Sequence, residues 1–152
     1  MGHRILAVDD EPSIVRLVSA ALTARGYEVS VAHNGEEALD MVRSEHPDLI
    51  VLDIMMPKMD GREVQRRLQS DAKTKDIPVI FLSAIGDLDS QLDTLEEGDV
   101  EYLTKPFDPK ELGEYVDAML DPAKRSELAR HRSQQIGKLR KMVEIMHRSH
   151  DV

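Results

Sequence analysis

Short apolar runs alternate with segments of helical periodicity along most of this chain. Arg4 to Asp9 reads as a buried strand, and Pro12 then opens a helix with Ile14, Leu17, Val18, Ala21 and Leu22 on one face. Arg25-Gly26 closes it. Glu28 to Ala32 alternates weakly, as a strand does, before Asn34-Gly35 turns into a helix carrying Ala38, Leu39 and Val42. After His46-Pro47 the run Leu49-Ile50-Val51-Leu52 is continuously apolar, the pattern of a parallel strand covered on both faces, and it stops at Asp53. A loop through Pro57 and Gly61 leads to a helix near Arg62–Gln69, and the strand Val79-Ile80-Phe81-Leu82 ends at Ser83. A helix over residues 88–96 and a strand around Tyr102–Thr104, ended by Lys105-Pro106, follow. Asp108 then caps a helix holding Leu112, Tyr115, Val116 and Met119.

Five strand–helix units predict an α/β fold, a five-stranded doubly wound parallel sheet, because parallel neighbours need helical crossovers that pack on alternate faces. Ligands of such sheets bind beyond the carboxyl ends of the strands. The unusual polar residues fall there: Asp9 and Asp10 after the first strand, Asp53 after the third, Ser83 after the fourth and Lys105 after the fifth. Each alone would be an ordinary cap or loop residue; together they suggest one site. Carboxylates crowded at one rim repel one another and raise their own pKa values unless a cation neutralises them. Mg²⁺, which prefers oxygen ligands and commonly bridges carboxylates to phosphate, suits such a cluster. Asp53 could then attack phosphorus to give an acyl phosphate, with Lys105 pairing a phosphoryl oxygen and the Ser83 hydroxyl donating to another.

Composition removes several alternatives. The chain has 152 residues and no cysteine, so neither a disulfide framework nor a thiol nucleophile exists, which suits a cytoplasmic setting. No run approaches the roughly 20 apolar residues of a membrane-spanning helix. The net charge of −9 is uneven: residues 1–120 carry 12 Lys/Arg against 25 Asp/Glu, or −13, and residues 121–152 carry 8 against 4, or +4. With an acidic main domain and an aromatic content of 3%, no direct nucleic-acid binding is expected.

These residues resemble the receiver domain of two-component response regulators over about residues 3–120. The motifs are Val8-Asp9-Asp10-Glu11-Pro12, Pro47-Asp48-Leu49-Ile50-Val51-Leu52-Asp53-Ile54-Met55-Met56-Pro57 with Asp60-Gly61, Leu82-Ser83-Ala84, and Tyr102-Leu103-Thr104-Lys105-Pro106-Phe107. The resemblance implies a flavodoxin-like sheet of strand order 2-1-3-4-5, Asp53 as phosphoacceptor, and Mg²⁺ (or Mn²⁺) held by Asp9, Asp10, Asp53 and the Met55 backbone carbonyl. It further implies a switch in which the Ser83 hydroxyl moves toward the phosphate and the Tyr102 ring turns inward behind it, and a cis Lys105-Pro106 bond. A sensor histidine kinase or phosphotransfer protein would be the donor, and an output partner or domain the receiver of the signal. Such a module is a regulatory domain rather than an enzyme, limited to self-phosphotransfer and slow self-dephosphorylation. Ser83 stands where Thr is at least as common, and Gly98-Asp99-Val100 replaces a more usual small-residue run. Met55 and Ile85 flank the expected phosphate, where apolar bulk would hinder the hydrolytic water.

Two other functions share this topology. An aspartyl-phosphate phosphatase wants a second acid two residues after the nucleophile, where this chain has Met55. A flavin or nucleotide binder wants a phosphate-cradling loop after the first strand, where Asp9-Asp10-Glu11 repels phosphate unless a metal intervenes.

The sequence divides into a receiver domain at 1–120 and a helical tail at 121–152. Asp121-Pro122 begins the tail, and Ile136, Leu139, Val143 and Met146 follow a 3-4-3 spacing like a short coiled-coil seam. A homodimerisation stalk or a linker to an output domain is preferred over an amphipathic helix packed back on the receiver. Lys138, Arg140, Lys141 and Arg148 read as a solvated helix face, and His131, His147 and His150 lack metal-ligand spacing.

Overall fold

The computed structural model describes residues 2–84, 101–124, 134, 136–138 and 140–145. Strands β1 (Arg4–Val8), β2 (Glu28–Ala32), β3 (Leu49–Asp53), β4 (Val79–Ala84) and β5 (Glu101–Lys105) form one parallel sheet in the order β2-β1-β3-β4-β5. Helices α1 (Pro12–Thr23), α2 (Gly35–Glu45), α3 (Gly61–Gln69) and α4 (Pro109–Leu120) are the described crossovers and closing helix. The helix expected over residues 88–96 lies outside the described residues.

Local chemistry accounts for the boundaries. Pro12 occupies the first turn of α1, where its missing N–H is no loss, and Gly26 at φ +92° makes the turn into β2. The side chains of Asn34, Asp60 and Asp108 accept from the N–H groups of Glu37, Glu63 and Lys110, capping α2, α3 and α4. The Asp60 cap starts α3 at Gly61, one residue before the expected position.

Successive strand residues point to opposite faces, and the two cores follow that parity. Leu6, Val8, Ile50, Leu52, Val79, Phe81 and Tyr102 pack with Ala38, Leu39 and Val42 of α2 and Val64 and Leu68 of α3. Ile5, Ala7, Leu49, Val51, Ile80, Leu82 and Leu103 pack on the other face with Val18 and Leu22 of α1 and Leu112, Tyr115 and Val116 of α4. Burial of each large aliphatic side chain contributes about 1.5–3 kcal/mol before entropy is subtracted, so both faces are needed to hold so short a strand set. The second face is latched at its edge: Arg25 lies 2.5 Å from Asp117, which also accepts from the Tyr27 hydroxyl.

The short helix Pro122–Lys124 follows α4, and helical backbone recurs at residues 134–145 where described. There Ile136, Met142 and Val143 are half-buried and pack against the core cluster on the α2/α3 face, as Met41 and Ile77 also do. Leu139, Met146 and the histidines at 131, 147 and 150 lie outside the described residues.

Candidate functional site

Parallel strands end at one rim, and register places their last residues side by side. Val8 pairs with Leu52 and Leu82 with Asp53, so Asp9 follows directly beside Asp53 at the centre of the sheet. Asp9 and Asp53 are buried and Asp10 is exposed, yet one carboxylate oxygen from each of the three lies within 4.8 Å of the others. The N–H of Glu11 donates to Asp9 Oδ1 at 3.0 Å, and that of Met55 to Asp53 Oδ1 at 3.3 Å. These backbone donors orient both acids.

Lys105 reaches the cluster from β5, two strands away, a separation of about 9–10 Å that only a long flexible side chain crosses. Its Nζ is 2.9 Å from Asp9 Oδ2, 3.4 Å from Asp53 Oδ1 and 3.9 Å from Glu11 Oε1. Glu11, which the sequence reading gave no role of its own at the site, is the member it missed. Its adjacency to Asp10 was the available signal. The Lys105-Pro106 bond is cis.

Ser83, the next-to-last residue of β4, has no exposure, and its Oγ has no hydrogen-bond partner among the described residues. Such an orphaned buried hydroxyl is uncommon and asks for a ligand or a movement. By alternation Ser83 shares the face of Phe81 and Tyr102, whereas Asp9, Asp53 and Lys105 share the parity of the opposite face. Tyr102 is 1% exposed, its ring centroid 5.4 Å from that of Phe81. Met55 is 61% exposed on the loop after β3, and Ile85 lies outside the described residues. In the same loop Met59 N–H donates to the Pro57 carbonyl across Lys58 at φ +69°, a tight γ-turn that stores strain beside the acids.

Burial pushes the Asp53 carboxyl up to about 7, the Asp9 charge adds to the rise, and Lys105 opposes it. Burial pulls Lys105 down, but its hydrogen bond to Asp9 and the charges of Asp53, Asp9 and Glu11 outweigh this and hold it above the ordinary amine value. Asp53 therefore keeps a proton in the folded state that the unfolded chain releases near pH 4, so its ionisation costs stability progressively as pH rises toward 7. In chelator at pH 8, Asp53→Asn is expected to be more stable than wild type by about 1–2 kcal/mol, once screening by solvent and Lys105 is allowed for. Urea midpoints across pH would check this, and the gain should vanish near pH 4.

The oxygen donors suit a hard divalent cation. One carboxylate oxygen from each of Asp9, Asp10 and Asp53 lies within 4.8 Å of the others, and the Lys105 ammonium beside Asp9 offsets part of their negative charge.

Fold and site together define a doubly wound α/β protein with an acid triad and a lysine at the topological switch point. The profile of the response regulator receiver domain matches residues 5–117. The ycf27 protein of Porphyra purpurea is 48% identical over 118 residues, 78% of this chain and 47% of its own length. The DNA-binding dual master transcriptional regulator RpaA of a Synechocystis strain is 44% identical over 117 residues, 77% of this chain and 48% of its own. Among solved structures, the chemotaxis protein CheY4 of Vibrio cholerae is 32% identical with a TM-score of 0.70, covering 77% of this chain and 98% of its own. The chain belongs to this family: it contains the receiver domain of a two-component response regulator, a regulatory domain. It spans about half the length of the curated relatives it matches. Among the described residues no helix is long and apolar enough to cross a membrane.

Proposed function

We propose that this chain is a phosphorylation-activated switch of the cytoplasm, in which the Asp53 carboxylate accepts a phosphoryl group from a sensor histidine kinase or phosphotransfer protein. The observation that carries this reading is the approach of the Lys105 ammonium to the buried Asp9 and Asp53 within a triad of oxygen donors. Asp9, Asp10, Asp53 and the Met55 carbonyl are the ligands for Mg²⁺ (or Mn²⁺), which when bound neutralises the acids and offsets charge on the phosphoryl oxygens. One Asp53 oxygen bonds to phosphorus as the P–N bond of the donor phosphohistidine breaks, and the released imidazole takes a proton from water. Lys105 pairs with a phosphoryl oxygen as a point charge. The orphaned Ser83 hydroxyl donates to another, and the Tyr102 ring is held inward in the space behind it. Residues 1–120 form this receiver, and residues 121–152 a helical extension that communicates with an output partner. The chain's own chemistry is limited to that transfer and slow self-hydrolysis.

Met55 is exposed on the loop after β3 and its N–H donates to Asp53, and its apolar bulk there slows the approach of water to the acyl phosphate. Met55→Asn is expected to hasten dephosphorylation several-fold, read as decay of the phosphorylated mass; an unchanged rate would remove Met55 from that role.

The central experiment is intact mass after incubation with acetyl phosphate. Wild type in Mg²⁺ should gain one phosphoryl group, whereas chelator or Asp53→Ala should prevent the gain. Equal gain in the Asp53→Ala variant would refute the assignment.

A further inference from the structure

The docked tail and the expected switch residues belong to one apolar body. Ile136, Met142 and Val143 pack against the cluster that contains Phe81 and Tyr102, together with Leu52, Ile54 and Met56 around the phosphoacceptor. Lys138, Arg140, Lys141 and Glu144 remain exposed together with Ile145, so the helix turns Ile136, Met142 and Val143 inward and a mostly charged face outward. The opposed charges of tail and receiver, +4 and −13, favour the same arrangement at long range. Close-packed interiors are not continuously deformable, so an aromatic ring leaving this body alters what the rest can pack against.

We infer that the C-terminal helix is an intramolecular clasp whose docking is coupled to phosphorylation of Asp53. The docked helix and the buried Tyr102 ring occur together in the structure. An outward ring leaves a hole in the cluster against which the helix packs and weakens docking. A phosphoryl group that draws Ser83 toward it and holds the ring inward therefore strengthens docking, and linkage requires the docked helix to stabilise the phosphorylated site by the same factor. This inference rests on the phosphoacceptor reading above.

Hydrogen exchange of residues 136–145 in the full chain tests it. With Mg²⁺ and acetyl phosphate, exchange there should slow by about fivefold or more, and Asp53→Ala should show no slowing. Val143→Asp, which places a charge on the docked face, should speed tail exchange and shorten the phosphorylated lifetime. Lys141→Ala, on the exposed face, should leave both unchanged. Intact mass is followed in parallel. A chain that gains the phosphoryl group while its tail exchanges at the same rate overturns the clasp and leaves the phosphoacceptor standing; a chain that never gains it overturns both. Tail protection that appears only at high protein concentration would mean that a second copy's helix occupies the face, and would overturn the intramolecular form.

Discussion

Lys105→Ala is expected to lose about 2–3 kcal/mol of stability at neutral pH in chelator, and to recover much of that loss in saturating Mg²⁺. The Lys105 side chain is 16% exposed and stands between Asp9 and Asp53, which are nearly buried. Removing one partner from such a cluster leaves uncompensated buried charge, a change that typically costs about 3–5 kcal/mol. The loss should fall below that range because Asp53, already raised to about 7, can take a proton instead. A divalent cation binding the folded state supplies the missing charge and adds its own binding free energy. Lys105→Met, which keeps most of the stem, should behave like the alanine variant if charge rather than packing is responsible. Urea titrations with and without metal decide the matter; equal stability of wild type and both variants in chelator would contradict the electrostatic account.

Gly61→Ala should be at least as damaging, by about 3 kcal/mol or more, although no reacting side chain is replaced. A Cβ built at Gly61 meets the Asp53 carbonyl oxygen at 2.3 Å and the Ile54 Cα at 2.9 Å. Both neighbours are backbone, so no rotamer change relieves the contact. The Gly61 N–H also donates to the Ile54 carbonyl at 2.8 Å, tying the start of α3 to the end of β3. An added methyl must therefore push the phosphoacceptor strand away from its register. Phosphorylation by acetyl phosphate should slow along with the loss of stability. A variant as stable as wild type would show that the loop yields more easily than this geometry implies.

The strands were legible because parallel strands covered on both faces are apolar at every position, which is why Leu49 to Leu52 stood out before any fold was known. The polar residues that end them were legible for the same reason: a charge directly after such a run marks the rim. Other features were not written locally. Glu11 lies 3.9 Å from Lys105 only because β5 sends its lysine across β4, a distance set by strand order rather than by residue spacing. The orphaned Ser83 hydroxyl is likewise a statement about neighbours in space.

Hydrophobic period and strand-end chemistry, taken from the sequence alone, determined the α/β class, the number of strands and the residues gathered at their carboxyl ends. The tail shows what they left open. Ile136 and Val143 announce an apolar stripe for which the sequence favours a second copy or an output segment over the receiver itself. In the tertiary structure that stripe meets the core cluster on the α2/α3 face. Periodicity records that a face must leave water, but which surface receives it depends on what the assembled layers still expose.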